Sequence, residues 1–329
     1  MRATAIAHPN IALVKYWGKR DSVRNLPAAG SISLTLGPLH TRTEVAFTGA
    51  QGPDRVELDG EEAEPGAARR VTAVLDLLRH GRPDLGAAHV RSRNDFPTAA
   101  GLASSSSGFA ALVVAADAAA SLGLSPSALS ILARRGSGSA ARSIFGGFVR
   151  MESGVRDDGE DAFARPLAPA DHWPLSVCIA LTTEGAKKVP STRGMDHTAQ
   201  TSPYHHAWIA DVDRMLPEAE AIIAARDFDG LARLAEASAL RMHASALAAD
   251  PGVLYWNGAT VECMHAVRHL RSQGCPAFFT IDAGPHVKVF CAPASTAAVE
   301  EALRCVPGVR DVLHATPAGD ARALGTEDR

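Results

Sequence analysis

The chain is predicted to be an α+β protein built in two parts. Strand-like segments crowd its first third, long helical segments fill much of its second half, and neither a fixed-period repeat nor a strict alternation of strand and helix runs through it. A polar, turn-rich stretch at 154–161, followed by an apolar strand at 175–182, marks the expected seam, so residues 1–172 and 173–329 are read as two domains.

Residues 4–14 read as one strand, and 31–36 and 41–47 alternate or carry β-branched residues as an antiparallel sheet requires. Residues 66–80 place Val71, Val74, Leu75 and Leu78 at helical spacing, with Arg69, Arg70 and Arg79 on the other faces. A strand at 89–92 leads through the turn formers Asn94-Asp95-Phe96-Pro97 to Gly101, a run of serines and a long helix ending near Leu122. A short helix at 127–135 precedes a Gly- and Ser-dense stretch, 136–147, which is either a binding loop or a flexible linker, and an extended segment at 148–152 follows. Beyond the seam, 217–247 and 260–273 read as helices, strands at 277–281 and 287–291 flank a Gly-Pro turn, and a helix at 297–305 precedes a last strand at 309–314. The polar tail from Ala318 is expected to be loosely ordered.

Lys and Arg total 33 against 36 Asp and Glu, and a formal charge of -3 gives no electrostatic reason to expect nucleic acid or an anionic membrane as partner. An anionic ligand must then be held by local basic groups and backbone amides. Five scattered cysteines without a Cys-x-x-Cys pair argue against a disulfide framework and a zinc cage, and read as buried free thiols. His265 and His269 stand four apart on a helix without a further ligand, so no metal site is assigned. The N-terminal residues lack a signal-peptide pattern, and the longest apolar run, 109–120, contains Asp117 and is shorter than the roughly 20 residues that span a bilayer. A cytoplasmic location is expected.

Four segments could carry chemistry. In 95–108, Pro97 and Gly101 punctuate a turn before a helix. The amides of the helix start, with Leu102, Ala103 and the hydroxyls of Ser104, Ser105 and Ser107, could receive nucleotide phosphates, although a serine-rich helix cap has the same pattern. Ser137-Gly138-Ser139-Ala140-Ala141-Arg142 frees backbone amides beside a guanidinium suited to a carboxylate; the alternative is a flexible loop. Lys15-Tyr16-Trp17-Gly18-Lys19 ends a strand with two cations and a phenol around a glycine. Asp282 closes an apolar strand before Ala283-Gly284-Pro285, where an aspartate is either a turn former or a catalyst.

Together these segments resemble the diphosphomevalonate decarboxylases of the GHMP kinase superfamily, through NIALVKYWGKRD (10–21), SISLTL (31–36), FPTAAGLASS (96–105), GSGSAARSIFGGF (136–148), KKVPST (187–192) and TIDAGP (280–285), in the family's order. The resemblance implies an N-terminal α/β domain with a left-handed βαβ crossover and a ferredoxin-like C-terminal domain. It also implies a homodimer and an active site in the cleft between the domains. It further implies ATP with Mg²⁺ at 97–105. Substrate would be held by Tyr16, Trp17, Gly18, Lys19, Arg70, residues 137–141, Ser191 and Thr192. Arg142 would grip the substrate carboxylate, and Asp282 would act as the catalytic aspartate with Lys15 assisting. The implied reaction converts (R)-5-diphosphomevalonate to isopentenyl diphosphate with release of ADP, phosphate and CO₂. Against the family pattern, this chain carries Ala28-Ala29-Gly30, His286 after the Gly-Pro turn, and Thr192 ahead of Arg193, all on the substrate side. Two other readings stand beside it: a decarboxylase or 3-kinase acting on mevalonate or 5-phosphomevalonate, and a non-catalytic binding protein of the same fold.

Overall fold

The computed structural model describes residues 1–96, 104–183 and 188–325. The chain opens on β1 (Arg2–Ala7) and β2 (Asn10–Val14), then β3 (Lys19–Asp21), β4 (Leu26–Pro27), β5 (Ser31–Gly37) and β6 (Thr41–Phe47). The single strand expected at 4–14 is therefore two. Pro9 has no N–H for a ladder, and at this break the chain passes from one sheet to another. Next come β7 (Arg55–Leu58), β8 (Glu61–Glu62), α1 (Pro65–Arg79) and β9 (Ala88–Asn94). The four apolar side chains read at helical spacing are the buried face of α1. β7 and β9 pair in parallel with α1 in their connection, a βαβ unit.

Helices α2 (Ser104–Ala120) and α3 (Pro126–Gly136) follow, then a 3₁₀ segment at Gly138–Ile144, β10 (Phe148–Met151), β11 (Ala164–Ala168) and β12 (Ser176–Leu181). α2 is rich in alanine and packs the interior of the first part with Val45, Phe47, Val90 and Leu75. The flexible linker entertained for 136–147 is not what forms. Gly138 and residues 140–144 are buried, because a Cβ at Gly146 or Gly147 would lie within 2.5 Å of the backbone of Gly319 or Ala168 and only glycine lets these segments touch.

The second half contains α4 (Ser191–Thr201), α5 (His205–Ala225), α6 (Phe228–Leu247), α7 (Gly258–Ser272), β13 (Ala277–Ile281), β14 (Val287–Cys291), α8 (Thr296–Arg304), β15 (Asp311–Pro317) and β16 (Arg322–Ala323). The helix expected at 217–247 is two: Pro217 lies inside α5, and the chain breaks where Arg226 takes a left-handed conformation and Asp227 caps α6 through Gly230 N–H. α4 escaped sequence reading because its polar composition shows no apolar stripe.

The strands form a six-stranded sheet, β16-β1-β6-β9-β7-β8, and an eight-stranded sheet, β11-β10-β5-β15-β12-β14-β13, with β2 also on β5. β15 meets β5 at Thr316↔Gly37 and Pro317↔Leu36, so strands from both halves of the chain join in one sheet. Through Gly325, the last described residue, the tail is not loose. Ala318 N–H donates to Thr35 O (2.9 Å), Gly146 N–H to Asp320 Oδ1 (2.7 Å) and Leu324 N–H to Thr4 O (2.7 Å), and β16 adds an edge to β1. Apart from the bond to the Asp320 carboxylate, these are backbone pairings, to which a polar composition gives no clue. Among the thiols, Cys178, Cys263 and Cys291 are buried, Cys275 is half-buried and Cys305 is exposed.

Candidate active site

A cleft of about 780 Å³ is lined by the end of β2, the β3–β4 region, α1, the start of α2, the 3₁₀ segment, α4, α6 and the β13–β14 turn. Its described lining carries five cations, Lys15, Lys19, Arg70, Arg135 and Arg142, against one carboxylate, Asp282. A chain of net negative charge thus concentrates positive charge where a polyanion would enter.

Arg142 sits on the 3₁₀ segment and is 2 % exposed. Strand β5 is buried on both faces, with Ile32, Leu34 and Leu36 in the apolar core and Ser31 and Ser33 on the other side. Those hydroxyls accept from the guanidinium: Nη1 to Ser31 Oγ (2.6 Å) and Nε to Ser33 Oγ (3.0 Å). Asn10 Oδ1 accepts from Nη2 (3.0 Å) and Nε (3.2 Å), while its amide donates to Ser139 O and Ser143 Oγ. Burial pushes the guanidinium down to about 10, so it stays charged in the neutral range.

Lys15 follows β2. Its N–H donates to Ser238 Oγ (3.0 Å) on α6, and its ammonium to Ala12 O (2.8 Å) and Asp282 Oδ1 (2.6 Å). Burial lowers Lys15 to about 8, with Asp282 pulling the other way. Burial alone would raise Asp282, yet Lys15, Lys288 and Arg142 together hold it below its ordinary value. The Asp282 side chain is 25 % exposed, and the two lysines beside it are 1 % exposed.

Trp17, Tyr16 and Lys19 turn into the same cleft. The Tyr16 hydroxyl is buried without a hydrogen-bond partner, lies against Gly138, and is pushed up by burial, so it remains a neutral donor. Lys19 Nζ donates to Asn25 Oδ1 (2.7 Å) and Thr192 Oγ1 (3.4 Å), linking β3 to α4. Arg70 donates to Gly136 O (2.8 Å) and lies 5.0 Å above the Phe109 ring. The hydroxyls of Ser105, Ser137 and Ser139 form a row at 3.3 and 3.4 Å, so the two serine segments meet. Ser104, Ser191 and Thr192 also line the cleft.

Several expected residues lie elsewhere. Gly18 does not line the cleft; a Cβ there would sit 2.8 Å from the His205 ring, and its φ of +121° needs glycine. Ala140 and Ala141 pack into core clusters. Ser107 is buried and bonds Thr41 Oγ1 (2.6 Å). Pro97, Gly101, Leu102 and Ala103 fall outside the described residues.

Sequence reading missed Asn10, Ser31 and Ser33 as the cage of Arg142, although hydroxyls alternating with Ile32 and Leu34 in a fully buried strand were the available signal. It also missed a second cavity of about 190 Å³ beside the cleft. Thr41, Thr43, Leu58, Ser92, Asn94 and Phe109 are among its walls, and Arg70, Ser104 and Ser105 border both cavities. No helix among the described residues is long and apolar enough to cross a membrane, and no group of three or more His, Cys, Asp and Glu there could hold a metal.

Comparison with known proteins places this geometry in a family. Residues 7–164 match the model of the diphosphomevalonate decarboxylase-like N-terminal domain, and residues 177–318 that of the mevalonate 5-diphosphate decarboxylase C-terminal domain. A diphosphomevalonate decarboxylase of Eremothecium gossypii is 38 % identical over 98 % of this chain and 85 % of its own length. The crystal structure of mevalonate diphosphate decarboxylase from Staphylococcus aureus superimposes with a TM-score of 0.93 at 36 % identity over 98 % of both chains. A solved structure of the protein named MDDEF, in complex with MVAPP, AMPPCP and magnesium, gives 0.91 at 38 % identity over 99 % of both. The fold is the GHMP kinase fold that the sequence resemblance implied.

Proposed function

The chain belongs to the diphosphomevalonate decarboxylase family, and from that membership we infer that it catalyses the ATP-dependent decarboxylation of (R)-5-diphosphomevalonate to isopentenyl diphosphate. The observation that carries the assignment of roles is the meeting of Asp282, Lys15 and Arg142 in one cation-rich cleft.

ATP, with Mg²⁺, supplies the phosphoryl group that makes a tertiary hydroxyl able to leave. Ser104 and Ser105, at the start of α2, fit its phosphates as donors shared by the two cavities, and the smaller cavity takes the base. Asp282 accepts a hydrogen bond from the tertiary hydroxyl and takes its proton, oriented by Lys15 at 2.6 Å. Arg142, whose hydrogen-bond partners Ser31, Ser33 and Asn10 are all neutral oxygens, holds the substrate carboxylate so that the breaking carbon–carbon bond aligns with the departing phosphate. Tyr16, Lys19, Ser137, Ser139, Ser191, Thr192 and Arg70 receive the diphosphate arm.

The reading carries with it a division into domains 1–172 and 173–329, a cytoplasmic location and a homodimer. A solution mass of one chain would set the dimer aside. The activity is tested with purified enzyme by following ADP, phosphate and CO₂ with mevalonate, its 5-phosphate and its 5-diphosphate in parallel. Stoichiometric release of all three products from the 5-diphosphate alone is expected, and ADP without CO₂ would convert the reading to a kinase.

A further inference from the structure

Lys288 has no role in the reaction as derived so far, and its position is costly. It is the second residue of β14, where the hairpin register pairs it with Thr280 of β13. Two residues along each strand, on the same face, Phe278 and Phe290 stack at 5.0 Å in the apolar core. An ammonium 1 % exposed at the edge of such a core is unfavourable by several kcal/mol unless an anion answers it. The anion is Asp282, whose Oδ2 lies 3.8 Å from Lys288 Nζ, while its Oδ1 is held by Lys15 at 2.6 Å. The same ammonium donates to His286 O (3.4 Å), which ties it to the turn that carries Asp282. Thr280 Oγ1 and Lys15 Nζ both donate to Ala12 O, at 3.3 and 2.8 Å, so both strands of the hairpin converge on one polar knot.

We propose that Lys288 is a positioning residue of the reaction: from the strand paired with that of Asp282 it holds the second carboxylate oxygen, keeping Asp282 ionised and oriented. The inference rests on the reading of Asp282 as the reacting carboxylate. Among the described residues, the charged and titratable groups around that carboxylate are Lys15 after β2, Arg142 on the 3₁₀ segment, Lys288 on β14, His243 on α6 and, at the far end of the same turn, His286, whose Nδ1 accepts from Thr182 N–H. Burial, with help from the Lys15 charge, pushes His243 down to about 3, so it is neutral in the working range and adds no charge. Each of the three cations favours the carboxylate form, and losing one raises the pH at which Asp282 takes up a proton.

A core lysine with a merely structural role predicts something different. Replacement by methionine would then remove a buried charge, leave the fold intact or firmer, and leave the pH profile alone. The deciding experiment is the pH dependence of kcat/KM for the 5-diphospho substrate in wild type, Lys288→Met and Lys288→Arg, with thermal melting as the control for folding. Substrate ionisations are common to all three and cancel in the difference. Because activity needs the carboxylate, the acidic limb in Lys288→Met is expected to move up by about 1 pH unit or more, with kcat lowered about 10-fold. KM for ATP should stay within about twofold, a ligand on which Lys288 has no direct hold. Lys288→Arg keeps a cation and should keep the wild-type limb. An unshifted limb in a folded Lys288→Met overturns the proposal, as does an equal loss in both variants without a shift. Asp282→Asn run alongside separates the two levels. Full turnover there removes the reading of Asp282 itself; an inactive Asp282→Asn beside an unshifted Lys288→Met removes only the role of Lys288.

Discussion

Arg142 and Lys15 are both buried cations facing one cleft, and the chain holds them in opposite ways. Arg142 is gripped by neutral oxygens, the hydroxyls of Ser31 and Ser33 and the amide of Asn10, which fix its plane, and no carboxylate among the described residues pairs with it at contact distance. Lys15 is held by the Asp282 carboxylate at 2.6 Å. The first arrangement suits an incoming anion; the second is an ion pair that tunes a carboxylate. On the proposed roles, one wall of the cleft would recognise a carboxylate and the other would handle a proton.

The largest effect is expected on the proton-handling wall. Asp282→Asn keeps shape and hydrogen bonding but loses the charge, and kcat should fall about 10²–10⁴-fold. ATP binding followed by calorimetry should change little, and near-normal turnover would erase the distinction between the walls. On the recognition wall, Arg142→Lys keeps the charge and gives up the fork, leaving Ser31, Ser33 and Asn10 short of donors. CO₂ release is expected to fall about 10²-fold. Wild-type release would show that a point charge suffices there.

The pH dependence of the Lys15 pair sharpens the comparison further. Its ordinary value of 10.5 is lowered to about 8 in the fold, so kcat/KM should decline above about pH 8 as the cation is lost. Lys15→Arg, which does not deprotonate, should retain activity to higher pH. Stability moves the other way. Between about pH 8 and 10.5 the unfolded chain binds more protons at this site than the folded one, so the contribution of Lys15 to stability rises with pH across that window. A parallel fall of activity and melting temperature would mean that unfolding, not Lys15, causes the loss.

The smallest effect concerns the second cavity. A side chain at Gly108, where an added Cβ meets nothing within 4 Å, would project into the space assigned to the base. Gly108→Leu is expected to raise KM for ATP about 3–10-fold, roughly 1 kcal/mol, with kcat nearly unchanged. An unchanged KM would move the base elsewhere.

Much of the fold was legible because its signals are local. The buried face of α1, the strands β6, β13 and β14, and the punctuation before Asp282 follow from periodicity and turn chemistry within a few residues. Two of the misreadings depend on distant contacts. The break at Pro9 and the woven tail beyond Ala318 depend on which distant backbone each segment meets, as when Leu324 N–H reaches Thr4 O. In the site, Asp282, Lys15 and Arg142 were nameable as residues that could carry chemistry. Lys288 and the Ser31–Ser33 pair read as strand residues because their partners lie more than a hundred positions away or across a hairpin.

By itself the sequence determined the family, the reaction class and the residue types available for it, since these reside in short motifs whose order survives in one dimension. Only the tertiary structure decided which cation faces a carboxylate and which faces neutral oxygens. That difference sets charge and basicity, and it arises from burial and distance between strands, quantities that do not exist until the chain has closed on itself.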